Sequence, residues 1–151
     1  MPMKQMQTDS LYETCRAQIG AGESVWLRIT GNSMAPFLVD SRDSVCLAAI
    51  KTPVRRGDII LYRRENGSLV LHRVYAVKKE GLFFVGDSQR KTEGPVREDA
   101  LVARAVSAKR KGIEIGQKDL LWLLFRTVWL WVLPLRKTIL AAYRLLRRKK
   151  A

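Results

Sequence analysis

The chain is predicted to be mainly β: an antiparallel β domain followed by a helical extension that is both apolar and basic. Three observations predict it. Short runs rich in β-branched, aromatic and leucine residues, such as Ile59-Ile60-Leu61-Tyr62 and Leu82-Phe83-Phe84-Val85, are bounded by turn signals. Asn66-Gly67 and Glu80-Gly81 fall between paired runs, where a tight hairpin favours a residue with positive φ. After Asp119 the chain becomes leucine- and tryptophan-rich and ends in Arg147-Arg148-Lys149-Lys150.

At 151 residues there is room for one domain and appendages. Residues 1–22 form an N-terminal segment with a short helix expected over residues 10–19, where Ser10 as N-cap and Glu13 three positions on make a capping box. This segment carries Lys4, Asp9, Glu13 and Arg16 and has no apolar core of signal-peptide length. The β domain is expected over residues 23–116. It opens with the strand Val25-Trp26-Leu27-Arg28-Ile29 and runs into the glycine-led turn Gly31-Asn32-Ser33-Met34-Ala35-Pro36-Phe37-Leu38. Arg56-Gly57-Asp58 turns into the Ile59 strand, with Asp58 expected to bond nearby backbone amides. Leu69-Val70-Leu71-His72-Arg73-Val74-Tyr75 is the next strand.

Residues 117–151 form the tail. From Leu120 to the end there are eight Lys/Arg and no acidic residue, so most of the net charge of +14 sits there. A membrane-spanning helix needs about 20 apolar residues. Here Arg126 interrupts the run and Pro134 lies near its end. A pair of in-plane helices hinged at Pro134 and lying on an anionic membrane surface through residues 119–151 fits better, because tryptophan suits the interface and clustered Lys/Arg suit anionic headgroups. A single span, or packing on the domain or a partner protein, are the alternatives. Attachment as a peripheral protein on the cytoplasmic side is expected. The basic charge is interleaved with leucine and tryptophan, and only some thirty residues precede the serine turn, so nucleic acid is not the expected partner.

Ser33 and His72, the only histidine, supply the chemistry. A serine hydroxyl is a poor nucleophile at neutral pH unless a positioned base takes its proton. A serine in a glycine-led turn after a strand, with one histidine thirty-nine positions later on another strand, suits a serine peptidase. Cys15 and Cys46 lack metal-ligand spacing and make no disulfide framework. No cofactor and no metal is implied.

Four blocks resemble the signal peptidase and LexA-type repressor superfamily of serine peptidases. Gly31–Leu38 is similar to its Gly-x-Ser-Met-x-Pro box, and Arg56-Gly57-Asp58-Ile59-Ile60 to its Arg-Gly-Asp strand opening. His72-Arg73-Val74 resembles the segment where bacterial members carry Lys-Arg-Val and endoplasmic-reticulum, archaeal and sporulation-type signal peptidases carry histidine. Phe84-Val85-Gly86-Asp87-Ser88 resembles the Gly-Asp-Asn box, and the run from Val96 to Val106 its closing strand. The match covers roughly residues 25–107. The N-terminal membrane anchor of most signal peptidases has no counterpart before the serine box.

The resemblance implies a signal-peptidase/LexA-like fold and a serine endopeptidase acting on a protein or leader peptide. Ser33 would be the nucleophile, its own backbone N–H one donor to the oxyanion, and His72 the general base. Histidine starts near 6.5 and needs an acid to orient its second nitrogen. Asp87 is the first candidate and Glu93 the second. Gly31, Met34 and Pro36 would shape the substrate-binding wall. Gly31 stands where many bacterial members have a hydroxyl donor, so the second oxyanion donor is left open. The alternatives are a non-catalytic or self-cleaving LexA-like regulatory module, with Ala21-Gly22 as the bond, and a membrane adaptor acting through its tail.

Overall fold

Strand β3 (Ile59–Arg63) is buried along almost its whole length, and its alternation divides the interior in two. Ile59 and Leu61 point into a larger core, while Ile60 and Tyr62 point into a smaller one with Val74, Leu82 and Phe84. A period of 2 in a central strand requires apolar residues at every position, and the sequence supplies them.

The computed structural model describes residues 3–149; Met1, Pro2, Lys150 and Ala151, the ends of the two terminal segments, lie outside the described residues. The other strands are β1 (Val25–Arg28), β2 (Ser44–Ala48), β4 (Leu69–Lys78), β5 (Gly81–Val85), β6 (Glu93–Val96), β7 (Leu101–Arg110) and β8 (Ile113–Gly116). All pair antiparallel in the order β1-β2-β7-β3-β4-β5-β6, and β8 adds to β7. The protein is thus a mainly antiparallel β sheet of eight strands with a helical C-terminal part.

Both hairpins form where the glycines lie. Arg64 N–H donates to the Ser68 carbonyl at 2.9 Å across the Asn66-Gly67 turn, and Gly67 takes φ of 85°. β4 turns into β5 with Lys78 opposite Gly81. The closing strand begins later than the resemblance implies. Val96 ends β6, Glu98–Ala100 is a 3-10 turn, and β7 starts at Leu101. Acidic Glu98 and Asp99 sit on this exposed turn rather than on a strand face.

Helix α1 (Met3–Gly20) also differs from expectation, because it is already helical seven residues before Ser10. Ser10 is therefore inside the helix, where its carbonyl accepts from the Thr14 hydroxyl at 2.9 Å, and it caps nothing. The upstream Met, Lys and Gln residues are good helix formers and carry the helix through it. Cys15 and Ile19 plug its C-terminal half into the larger core. Cys15 and Cys46 are both buried and unpaired.

The tail is not a pair of helices hinged at one point. It folds as α2 (Leu120–Arg126), α3 (Val128–Trp131), a 3-10 turn at Leu133–Leu135 that holds Pro134, and α4 (Arg136–Lys149). Trp122 and Phe125 of α2 are buried in the larger core, with ring centroids 5.4 Å and 5.0 Å from Phe37. Burying each aromatic is worth about 1.5–3 kcal/mol. Arg136 is fully buried at the start of α4, and the rest of α4 is mostly exposed. Among the described residues no helix is long and apolar enough to cross a membrane.

Candidate functional site

The serine turn is held from both sides. Gly31 takes φ of 80°, which a glycine adopts without strain, and its N–H donates to Asp40 Oδ1 at 2.9 Å. Met34, Phe37 and Leu38 are buried and pin the far side of the turn to the core. On the other side lies the loop after β5. Ser88 N–H donates to the Ser33 carbonyl at 3.0 Å, and the Ser88 hydroxyl donates to the Asn32 carbonyl at 2.8 Å. Gly86 makes this contact feasible: a Cβ there would lie 2.5 Å from the Ser33 carbonyl oxygen.

β4 carries His72 opposite Ile60 of β3. Ser33 and His72 line one cavity of about 430 Å³, together with Gly31, Met34, Leu71 and Gln89. Leu27 and Ile29 of the β1 end form another wall. Among the described residues the Ser33 hydroxyl has no hydrogen bond to His72, and the Ser33 N–H has no intramolecular acceptor. That N–H is free to meet an oxyanion; the Gly31 N–H, spent on Asp40, is not. Catalytic hydrogen bonds commonly tighten only when substrate is bound.

The acids sort differently from the sequence-based order. Asp87 does not orient His72. Its two oxygens accept from Arg73 Nε and Nη2 at 2.8 and 2.7 Å, in a pair with both side chains fully buried. Arg73 also donates to the Gly57 carbonyl at 3.0 Å, so the pair ties the Arg-Gly-Asp turn to the Gly-Asp-Ser loop. The planar guanidinium matches the carboxylate with two parallel bonds, which is why Asp87 is fully committed.

Glu93 instead reaches the histidine through an intermediary. His72 Nδ1 is 3.4 Å from the Tyr62 hydroxyl, which donates to Glu93 Oε2 at 3.0 Å. Arg64 donates to both Glu93 oxygens, at 2.6 and 2.7 Å. The Arg64 hydrogen bonds hold the Glu93 carboxyl below its ordinary range. Burial pushes the His72 imidazole down to about 4; the Glu93 and Asp87 carboxylates pull upward and the Arg64 guanidinium downward. Desolvation of a nearly buried cation outweighs the attraction of the carboxylates.

Pro36 is not part of the Ser33 cavity. It faces a separate one of about 530 Å³ between the serine turn and α4, lined also by Asn32, Tyr143, Arg144, Arg147 and Arg148. Asp58 accepts from the Arg55 N–H at 2.9 Å and pairs with Arg104 and Arg126 at 3.3 and 3.2 Å, anchoring α2 to the β3 turn. Among the described residues no group of three or more His, Cys, Asp or Glu side chains is placed to hold a metal ion.

Sequence reasoning missed Tyr62, Arg64, Arg73, Trp129 and Arg136. Tyr62 had one available signal: it lies two positions from Ile60 on β3, on the face that His72 shares. Arg136 had none, because two of its three carbonyl partners, Gly86 and Gln89, are far away in sequence. No protein-family model matches the chain, and no curated protein or solved structure matches it.

Proposed function

We propose that the protein is a serine endopeptidase of the signal-peptidase and LexA-like kind, with Ser33 as nucleophile and His72 as general base. One observation carries the proposal. The serine of the glycine-led turn and the only histidine, distant in sequence, meet at one cavity beside an unengaged Ser33 N–H. His72 is neutral at pH 7 and ready to accept the serine proton. The attacking Ser33 oxygen would bond to the scissile carbonyl carbon while its proton passes to His72. The developing oxyanion would face the Ser33 N–H. His72 would return the proton to the leaving amine, and water would then hydrolyse the acyl-enzyme.

The substrate is an extended segment of a protein or leader peptide. β1 is an edge of the sheet, and its Leu27 and Arg28 line the cavity, so a peptide added to that edge would pass Ser33. Tail residues Leu120, Leu124, Trp131 and Leu135 are exposed, and on α4 the exposed Leu145 and Leu146 stand among Arg144, Arg147 and Arg148. Apolar side chains next to cations suit an anionic membrane surface, to which the enzyme would attach peripherally.

The test is turnover of a peptide panel with small residues before the scissile bond. Wild type is compared with Ser33→Ala and His72→Ala, in the presence and absence of anionic vesicles. Both variants are expected to lose at least about 1,000-fold in kcat. If wild type cleaves nothing under either condition, the protein is no peptidase. A regulatory binding module is the second reading, favoured by the absent Ser33–His72 hydrogen bond. Full resistance of Ser33 to a serine-acylating probe would select it.

A further inference from the structure

Tyr62 is fully buried, and its ring stacks on Phe84 with centroids 4.3 Å apart. Packing of that kind leaves the phenol little freedom. Its hydroxyl lies between His72 Nδ1, at 3.4 Å, and Glu93 Oε2, at 3.0 Å. An ionised carboxylate accepts and cannot donate. The Tyr62 proton must therefore go to Glu93, and the phenol oxygen offers its lone pair to the imidazole. Only an Nδ1–H can use that lone pair. The other ring nitrogen, Nε2, is left unprotonated and can take a proton from serine.

We infer that Tyr62 is a positioning residue: it relays the charge of the Arg64-clamped Glu93 to His72 and fixes the imidazole in the Nδ1–H form. Asp87 cannot do this, since both of its oxygens are held by Arg73. The charged and titratable groups facing His72 are Glu93 on β6, Arg64 after β3, Asp87 after β5 and Tyr62 itself. Of these only Tyr62 touches the ring nitrogen. Burial and the Glu93 carboxylate push the Tyr62 phenol up, so it keeps its proton across the working pH range. When Ser33 gives up its proton, the resulting imidazolium is balanced through the phenol by Glu93. The 3.4 Å contact would shorten at that moment.

A defined substitution inverts the chain of bonds. In Glu93→Met the Tyr62 hydroxyl loses its carboxylate acceptor, and His72 Nδ1 is the acceptor that remains beside it. The phenol would then donate to Nδ1, forcing the proton of His72 onto Nε2. Tyr62→Phe keeps the ring packing and removes the bridge altogether.

The inference needs the peptidase reading only for its kinetic consequence. Because His72 is the only histidine, its ¹⁵N imidazole shifts in labelled protein at pH 7.5 report the tautomer without ambiguity. The expected result is Nδ1–H in wild type, Nε2–H in Glu93→Met and a mixture in Tyr62→Phe, with the amide spectra otherwise those of a folded protein. Wild type in the Nε2–H form, or a tautomer unmoved by either folded variant, overturns the relay. In peptide turnover, Glu93→Met is expected to lose kcat by up to about 10,000-fold at unchanged KM, the scale of a wrong-tautomer histidine. Tyr62→Phe should lose about 10–100-fold. If the tautomers behave as expected and no peptide is cleaved, the relay stands and the peptidase reading falls. If peptides are cleaved and neither variant changes kcat, the relay falls alone.

Discussion

Arg136 Nη1 donates to the carbonyl oxygen of Gly86 at 2.9 Å, joining residues fifty positions apart. The same guanidinium donates to the Gln89 carbonyl at 2.9 Å and, through Nη2, to the Trp129 carbonyl at 3.0 Å. Trp129 Nε1 in turn donates to the Asp87 carbonyl at 2.7 Å. The loop at residues 86–89 thus rests on the tail while its Ser88 holds the carbonyls of Asn32 and Ser33. The first half of the tail is a support for the serine turn, and most of α4 beyond Arg136 is exposed.

Among the described residues Arg136 has no carboxylate within ion-pair distance, and burial pushes its guanidinium down to about 10. Its worth lies in the carbonyls it satisfies. Arg136→Met should leave the Gly86, Gln89 and Trp129 carbonyls without their charged donor and cost about 3 kcal/mol. Trp122→Ala, which opens a hole beside Phe37, should cost about 3–5 kcal/mol. Urea-unfolding midpoints measure both. Midpoints equal to wild type would mean that the tail does not support the domain.

Gly86→Ala puts a methyl group against the Ser33 carbonyl and the Gln89 side chain. Backbone cannot swing away as a flexible side chain can, so the serine turn must move. About 1–3 kcal/mol of stability should be lost. Peptide turnover should fall at least 10-fold at a temperature where the variant stays folded, since a shift of about 1 Å in a reacting group can cost 100-fold. Unchanged turnover in the folded variant would show that the two loops tolerate separation.

Attachment to a membrane can be tested without touching the buried half of the tail. Arg144, Arg147 and Arg148 are exposed on α4, among the residues that rim the cavity beside Pro36. Each basic residue near an anionic surface contributes about 1 kcal/mol. Replacing all three with Gln should weaken co-sedimentation with phosphatidylserine vesicles on the order of 100-fold, with no change in urea midpoint. Binding to purely zwitterionic vesicles should be weak for wild type and variant alike. Equal binding of both proteins to anionic vesicles would rule out the arginines as the anchor.

The sequence was most legible where local chemistry decided the outcome. Asn66-Gly67 and Gly81 made hairpins because the turns demand positive φ, and β3 through β5 fell where apolar runs met those turns. β6 was illegible because Glu93-Gly94-Pro95-Val96 contains the two residues that weaken strands; it survives on the sheet edge, where a missing N–H is harmless. That Ser33 and His72 belong together was legible through residue type and motif order, and they line one cavity. Which acid is bridged to His72 was not legible, because the choice between Asp87 and Glu93 depends on which arginine each one meets. Arg73 and Arg64 decide that, across the sheet. The burial of Trp122 and Phe125 was hidden for a related reason. Leucine and tryptophan at a membrane surface and in a core have the same composition, and only Phe37 waiting below Trp122 distinguishes them.

The pH dependence follows from where His72 sits. Its folded pKa of about 4 lies below the ordinary value of about 6.5. Above pH 6.5 the imidazole is neutral in both folded and unfolded chains and stability is independent of it. Between 6.5 and 4 the unfolded chain binds the proton that the folded one refuses, so stability falls as pH falls. The loss, on the order of 3 kcal/mol, is complete below about pH 4. Glu93 adds a loss of the same sign, since its carboxyl is held low by Arg64 and must be protonated on unfolding in acid. The catalytic consequence is separate. A base that stays neutral down to pH 4 gives a kcat/KM profile whose acid limb lies near 4 rather than near 6.5. Glu93→Met removes a carboxylate that favours the imidazolium, so its limb should move to still lower pH. Measuring kcat/KM from pH 3.5 to 8 beside circular dichroism at each pH separates titration from unfolding. An acid limb between 6 and 7 in folded protein would mean that the imidazole is solvated when it works, and that the buried His72 is not the form that takes the serine proton.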